Sequence, residues 1–283
     1  MSRDLKSIFI APPISVLDVK QKYWKDQRKM WLGMGIQSEV GRNSNLLKLS
    51  PLMAKKQKST SVFDPVVCNV MYLWFTNEND TIYDPFAGGS VRGIVAGVMN
   101  RQYIGVDIRQ EQIESNHEQL DLLNEDRDVL PQWICGDANE VDVPFHDFFF
   151  TCPPYHNLEI YSDDPKDISN MSWDDFLTTY ESIITRSLKK LHNDRFAAIV
   201  VSDVRNKEGN YAGLNRKTIE IFEQCGCYLY NEMILLQEPA TAAMRAFNYM
   251  NTSRKIAKCH QYVYVFIKGD ANKATARLPK FEG

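Results

Sequence analysis

The chain has no apolar run long enough to span a bilayer. Its opening, MSRDLKSIFIAPP, holds too short an apolar stretch for a signal peptide, so the expected compartment is the cytoplasm. Neither G-x-G-x-x-G nor G-x-x-x-x-G-K occurs, which removes the two familiar pyrophosphate-binding loops. The six cysteines, Cys68, Cys135, Cys152, Cys225, Cys227 and Cys259, are too scattered over 283 residues for a disulfide framework. One C-x-C and one Cys-His pair lack a second ligand pair at suitable spacing, so no metal is expected. A formal net charge of −3 gives no bulk attraction for nucleic acid, and any basic surface must be local. Internal repeats and low-complexity tracts are missing too.

What is present is a core. The chain is 44% hydrophobic and 11% aromatic, enough for one large domain, with charge at an ordinary 24%. Residues 1–59 read as an irregular extension. They contain one aromatic-basic cluster, KQKYWKDQRKMWLGMG, which is either a helix packing Tyr23, Trp24 and Trp31 or a DNA-backbone contact. From Asp64 the pattern becomes regular. Asp64 at an N-cap and Pro65 at the first helical position start a helix. Seven strands follow: TIYD, QYIGVDI, QWICGDA, HDFFFT, RFAAIVVSDV, YLYNEMILLQ and HQYVYVFIKG. Helices alternate with the first five, including SWDDFLTTYESIITRSLKKL, whose apolar residues keep helical spacing behind a Ser172 cap. Near-continuous apolar strands between helices indicate an α/β protein with a mainly parallel, helix-covered sheet. No helix is expected between the last two strands, which should form an antiparallel pair.

Ligands of open α/β sheets bind beyond the carboxyl ends of the strands. Those ends carry Asp84-Pro85-Phe86-Ala87-Gly88-Gly89-Ser90, Asp107, Asp137, Thr151-Cys152-Pro153-Pro154-Tyr155 and Ser202-Asp203. Glycines let backbone N–H groups approach a ligand, and the helix N-terminus that follows favours an anion. With no pyrophosphate loop, a carboxylate-bearing nucleoside fits. Asp107, about twenty residues on, can accept from two ribose hydroxyls, and Asp137 from an adenine amino group. Each acid alone reads equally well as a turn residue.

DPFAGGS, YIGVDI, CGDA and TCPPY, in that order, resemble the S-adenosylmethionine-dependent DNA methyltransferases that act on exocyclic amino groups (cytosine N4 or adenine N6). The whole set looks closest to stand-alone modification methylases of phages and prophages. The resemblance spans roughly residues 60–268 and implies a Rossmann-like α/β fold: a seven-stranded, mainly parallel sheet with helices on both faces. It implies S-adenosyl-L-methionine as cofactor and double-stranded DNA as partner, for a monomer or homodimer with no membrane association. On that resemblance Asp84, Pro85, Phe86, Ala87, Gly88, Gly89 and Ser90 surround the methionine end of the cofactor. Asp107 and Ile108 take the ribose, and Asp137 and Ala138 the adenine. Phe63 and Asp64 start the helix behind the methionine carboxylate.

The catalytic set implied is Cys152, Pro153, Pro154 and Tyr155. An exocyclic amine is a poor nucleophile, because its lone pair is delocalised into the ring. Two acceptors against its N–H bonds pull it toward tetrahedral geometry, prolines stiffen the carbonyl that accepts, and the tyrosine stacks on the extruded base. The family has Asp, Asn or Ser where this chain has Cys152, and a thiol is a weak acceptor. Its likeness to Ser in shape favours cytosine N4. Ser90 likewise stands where the family has glycine. The alternatives are RNA or protein-glutamine methylation on the same tetrad, cytosine C5 addition through Cys152, or a non-catalytic nucleic-acid-binding relative. For DNA contact the candidates are Arg216 and Lys217, and Arg245, Arg254, Lys255 and Lys258 in MRAFNYMNTSRKIAKCHQ, where Phe247 and Tyr249 interleave. The expected division is an extension over 1–59, a catalytic domain over 60–270 with a target-contact segment at 238–259, and a tail over 271–283.

Overall fold

The computed structural model of the chain describes residues 4–36, 63–123, 129–156, 165–238 and 242–281. The expectations for the remainder of the 1–59 extension and for the last two residues lie outside these. The elements run α1 (Leu5–Phe9), β1 (Val16–Asp18), α2 (Lys22–Gly33), α3 (Pro65–Phe75), β2 (Thr81–Asp84), α4 (Val91–Val98), β3 (Gln102–Asp107), α5 (Gln110–Glu118), β4 (Gln132–Cys135), β5 (Phe148–Thr151), α6 (Trp173–Lys190), β6 (Arg195–Val201), α7 (Leu214–Gln224), β7 (Cys227–Leu236), α8 (Ala242–Ser253), β8 (His260–Lys268) and α9 (Ala271–Ala276).

They build an eight-stranded sheet in the order β1-β7-β8-β6-β5-β2-β3-β4. Only β8 runs against its neighbours, β6 and β7; every other pairing is parallel. The expected seven strands are therefore eight. The extra one is β1, which pairs with β7 from Val16–Ile234 to Asp18–Leu236. A strand of three residues carries too little alternation to be read from sequence. A second correction concerns the late pair. β7 and β8 are antiparallel as expected, but α8 stands between them.

The central strands are apolar on both faces because both faces are covered. Phe148, Phe149 and Phe150 of β5 alternate between two cores and are all fully buried. One core lies under α2, α3, α4 and α5, the other under α6 and α7. The aromatic-basic cluster near the N-terminus resolves largely as packing. Trp24 is fully buried and Trp31 nearly so, and both join the first core. The Trp24 indole N–H donates to Asp64 Oδ2 at 2.9 Å, which ties α2 to the start of α3.

Local caps fall where the sequence places them. Asp64 accepts from Val66 N–H at 3.0 Å, with Pro65 opening α3. Ser172 accepts from Asp175 N–H at 3.2 Å and donates back to its carboxylate at 2.7 Å. Gly226, at φ 74°, takes the left-handed conformation that stops α7. Among the described residues no helix is long and apolar enough to cross a membrane.

Candidate active site

β2 is the strand at which the sheet reverses its order, with β3 on one side and β5 on the other. The crevice of an α/β sheet opens at such a point, beyond the carboxyl ends. There the glycine turn leaves β2, and the Cys-Pro-Pro-Tyr corner leaves β5. The two motifs are joined directly: Thr151 Oγ1 donates to Asp84 Oδ1 at 2.6 Å.

The glycine turn is held from the β3 side. Ala87 N–H donates to Val106 O at 2.8 Å. Gly88 sits at φ 51°, a conformation that costs a side-chain-bearing residue about 1 kcal/mol or more. Its N–H donates to Asp107 Oδ2 at 3.0 Å, and its carbonyl accepts from Asn116 Nδ2 at 2.8 Å. Asn116 is oriented by Gln112 at 2.9 Å, and Gln112 by Arg109 at 2.7 Å. Thus a polar row along α5 fixes the backbone of the turn. Gly105 lets β3 approach: a Cβ there would lie 2.7 Å from that of Ala87 and 2.6 Å from Tyr103 Cε1.

Asp84 is fully buried and saturated. Oδ1 accepts from Phe86 N–H at 3.1 Å and from Thr151; Oδ2 accepts from Tyr103 Oη at 2.7 Å and from Arg92 Nε. With four donors on two oxygens its acceptor sites are filled within the protein. Arg92 completes the knot by donating to Phe86 O at 2.6 Å and Ala87 O at 2.8 Å. Burial opposes its charge, but the Asp84 carboxylate together with Tyr103 and Cys152 outweighs that, so the guanidinium titrates above its ordinary value. Phe63 lies 4.7 Å from the guanidinium carbon and edge-on to Phe150. Sequence reading missed Arg92, Tyr103 and Asn116. Arg92 had a signal: it is the lone charge in an otherwise apolar helix, VRGIVAGV, and such a charge needs a buried partner.

Two polar atoms beside the turn are buried without a hydrogen-bond partner: Ser90 Oγ and Asn139 Oδ1. Both retain hydrogen-bonding capacity that the protein itself does not use. Ser90 opens α4 next to Gly88 and Gly89. Asn139 follows Asp137 and Ala138, in a turn where Asp137 Oδ1 accepts from Asn139 N–H at 2.8 Å. Asp107 similarly accepts from Arg109 N–H at 2.9 Å, and half-buried Ile108 lies between them. Carboxylates, an amide oxygen and a hydroxyl thus lie past the ends of neighbouring strands, a donor set that fits a nucleoside with a charged tail.

At the other wall Pro153 is buried, and Cys152, Pro154 and Tyr155 are half-buried. An aromatic row connects this corner to the glycine turn. His156 packs edge-on to Trp173 at 5.2 Å; Trp173 stacks on Phe176 at 5.6 Å, Phe176 on Tyr180 at 5.8 Å, and Tyr180 on Phe86 at 6.3 Å. Positions 173, 176 and 180 share one face of α6. The Tyr155 hydroxyl accepts from Nε2 of Gln261, the second residue of β8.

The basic candidates divide. Because β8 is reversed, its N-terminal end lies at the crevice edge, and Lys255 and Lys258 come with it. The Lys255 ammonium reaches Gly209, and the Lys258 ammonium lies 5.6 Å from the Tyr211 ring and 5.5 Å from that of Tyr262. Arg205 stacks on Tyr211 at 4.1 Å, adding a cation the DNA candidates did not include. Burial and the Arg205 charge lower the Lys258 pKa, against the pull of Asp203. Arg216 and Lys217 are instead drawn to Glu220, at 3.8 and 2.7 Å. Arg245 and Arg254 are exposed along α8 and at its end, where Phe247 is 80% exposed.

The fold is one found among solved methyltransferases. Similar folds include the structure of an RNA methyltransferase candidate, PH1948, from Pyrococcus horikoshii (12% identity, TM-score 0.51, 87% of this chain and all 100% of that one). Another is magnesium protoporphyrin IX methyltransferase from Synechocystis PCC 6803 with bound S-adenosylmethionine (9% identity, TM-score 0.50, 80% and 88%). TrmN from Thermus thermophilus aligns at 12% identity and TM-score 0.46 over 73% of this chain, which spans 49% of TrmN's length. No curated protein matches the sequence. The family model of the DNA methylases matches residues 18–118, from the end of β1 through the glycine turn to the end of α5. Over those residues the chain is similar to the DNA methylases, and its fold is similar to those of the solved methyltransferases above.

Proposed function

We propose that the chain methylates the N4 amino group of cytosine in double-stranded DNA, on a base turned out of the helix into the crevice. The single observation that carries this is the Thr151–Asp84 bond, which joins the Cys-Pro-Pro-Tyr corner to the glycine turn at the reversal of the sheet. S-adenosylmethionine, if bound along the turn, would supply an electrophilic methyl group to the amine lone pair; the S–C electron pair would stay on sulfur and the displaced amine proton would leave to solvent. Ser90 and the N-terminus of α4 would hold its carboxylate, Asp107 its ribose hydroxyls, and Asp137 with Asn139 its adenine. Asp84 and Arg92 touch no ligand; they hold the turn in shape.

The base lies on Tyr155. A carbonyl of the proline corner accepts one amine N–H, and the Cys152 thiol weakly accepts the other. Orientation carries most of the rate, with no strong general base required. Arg205, Lys255 and Lys258 take phosphates beside the crevice, and α8 brings Arg245, Arg254 and the exposed Phe247 against the duplex. The segment 238–259 is then the target-contact insert of a catalytic body over 60–270. We further assign the chain to stand-alone phage-type modification, in the cytoplasm, as a monomer or homodimer.

Mass spectrometry of nucleosides from DNA of cells expressing the protein tests the reading. N4-methylcytosine is the expected product. N6-methyladenine would move the target base, and 5-methylcytosine would overturn the role given to Cys152. Tritiated-cofactor labelling of RNA or protein but not DNA would reject the DNA assignment. Tyr155→Ala should keep cofactor binding and lose transfer by roughly 5- to 150-fold, the worth of one base–aromatic stack at about 1–3 kcal/mol.

A further inference from the structure

The hydroxyl of Tyr155 is reached from a strand two places away in the sheet. Gln261 Nε2 donates to it, and Gln237 Nε2 donates to Gln261 Oε1 at 2.6 Å. The two glutamines have a particular place. Gln237 follows the last residue of β7, and Gln261 is the second residue of β8, so they face each other across the mouth of the 238–259 insert that carries α8. Gln237 N–H also donates to Cys259 O at 2.9 Å, closing that mouth with a backbone bond. The Gln261 amide is thereby used at both ends, with its oxygen on the insert's entry and its nitrogen on Tyr155.

We propose that Gln261 is a positioning residue that couples the insert to the stacking ring, so that seating of α8 on DNA sets the orientation of Tyr155. The inference rests on the role proposed for Tyr155. A hydrogen bond to a phenol lies near the plane of the ring. It fixes the direction in which the ring points and leaves both faces open, as a stacking platform requires. Losing it removes one of the contacts that fix the ring before the base arrives. Immobilising one such side chain corresponds to a rate loss of up to about tenfold.

The test is single-turnover methyl transfer from tritiated S-adenosylmethionine to unmethylated plasmid DNA, with plasmid affinity, cofactor affinity and thermal midpoint measured alongside. Gln261→Met should lower the rate at saturating DNA by about tenfold and leave both affinities within about twofold. Gln261→Glu should restore the rate to within about threefold, because its carboxylate can accept from both Gln237 and the Tyr155 hydroxyl. Tyr155→Phe should cost as much as Gln261→Met, and the double variant no more than either alone. A wild-type rate for Gln261→Met overturns the coupling, as does a double variant whose losses multiply, or a Glu variant as slow as Met. A wild-type chain that neither binds the cofactor nor labels DNA overturns the reading of Tyr155 itself, and the coupling with it.

Discussion

Replacing Arg92 with methionine removes one partner of a buried ion pair and keeps most of the volume. Asp84 is fully buried, and the Arg92 side chain is 5% exposed. The carboxylate would retain three neutral donors, from Phe86, Thr151 and Tyr103, but lose its counter-charge. Breaking a buried pair in this way costs about 3–5 kcal/mol. The carbonyls of Phe86 and Ala87 lose their donor as well, and each would cost a further ~1–3 kcal/mol if left dry. Against a usual domain stability of about 5–15 kcal/mol, the variant should lie near the limit of folding. Urea unfolding of the full chain, followed by circular dichroism at pH 7, reads the loss as a lower midpoint. Asp84→Asn combined with Arg92→Met removes the stranded charge and should recover at least ~2 kcal/mol of it. Should Arg92→Met fail to fold, the double variant still gives the comparison, since it is then expected to fold. A loss below ~1 kcal/mol for Arg92→Met, or a double variant no better than the single, refutes the argument that this pair holds the turn.

Other outcomes follow from the same geometry. Burial pushes the His146 imidazole down to about 4, so only the unfolded chain takes up a proton as pH falls from about 6.5. Stability is thus full above pH 6.5 and lost progressively toward pH 4, by about 3 kcal/mol at most; His146→Gln should flatten that part of a pH–denaturation series. Lys255→Gln and Lys258→Gln should each reduce the slope of log affinity for DNA against log salt by about 0.9. Arg216→Gln and Lys217→Gln should change it less, because Glu220 already pairs with both. Gly105→Ala should drive Tyr103 off Asp84, at about 1–3 kcal/mol in thermal unfolding and with weaker cofactor binding by calorimetry.

Much of the architecture was legible because its signals are local. Caps at Asp64 and Ser172 and the apolar strand runs each depend on a handful of neighbouring residues. Strand ends also order the chemistry: once the sheet is parallel, DPFAGGS, Asp107, Asp137 and TCPPY must share one edge. The insert between β7 and β8 was harder. No helix is expected there from sequence, although Ala243, Ala246, Phe247 and Met250 keep helical spacing, because the stretch is short and runs directly into the basic SRKIAK. β1 escaped because a strand of three residues is made by its partner, not by its own alternation.

The linear chain therefore dictates its elements, their order and the rim on which the cofactor turn and the proline corner meet, because periodicity and capping act within a few residues. Folding alone determines the work done by particular side chains on that rim. Asp84 carries the motif's acid but spends every lone pair on Arg92, Tyr103, Thr151 and its own turn. Gln261, which belongs to no motif, reaches Tyr155. Such roles are created by contacts between residues as much as 106 positions apart, and nothing in their immediate neighbours encodes them.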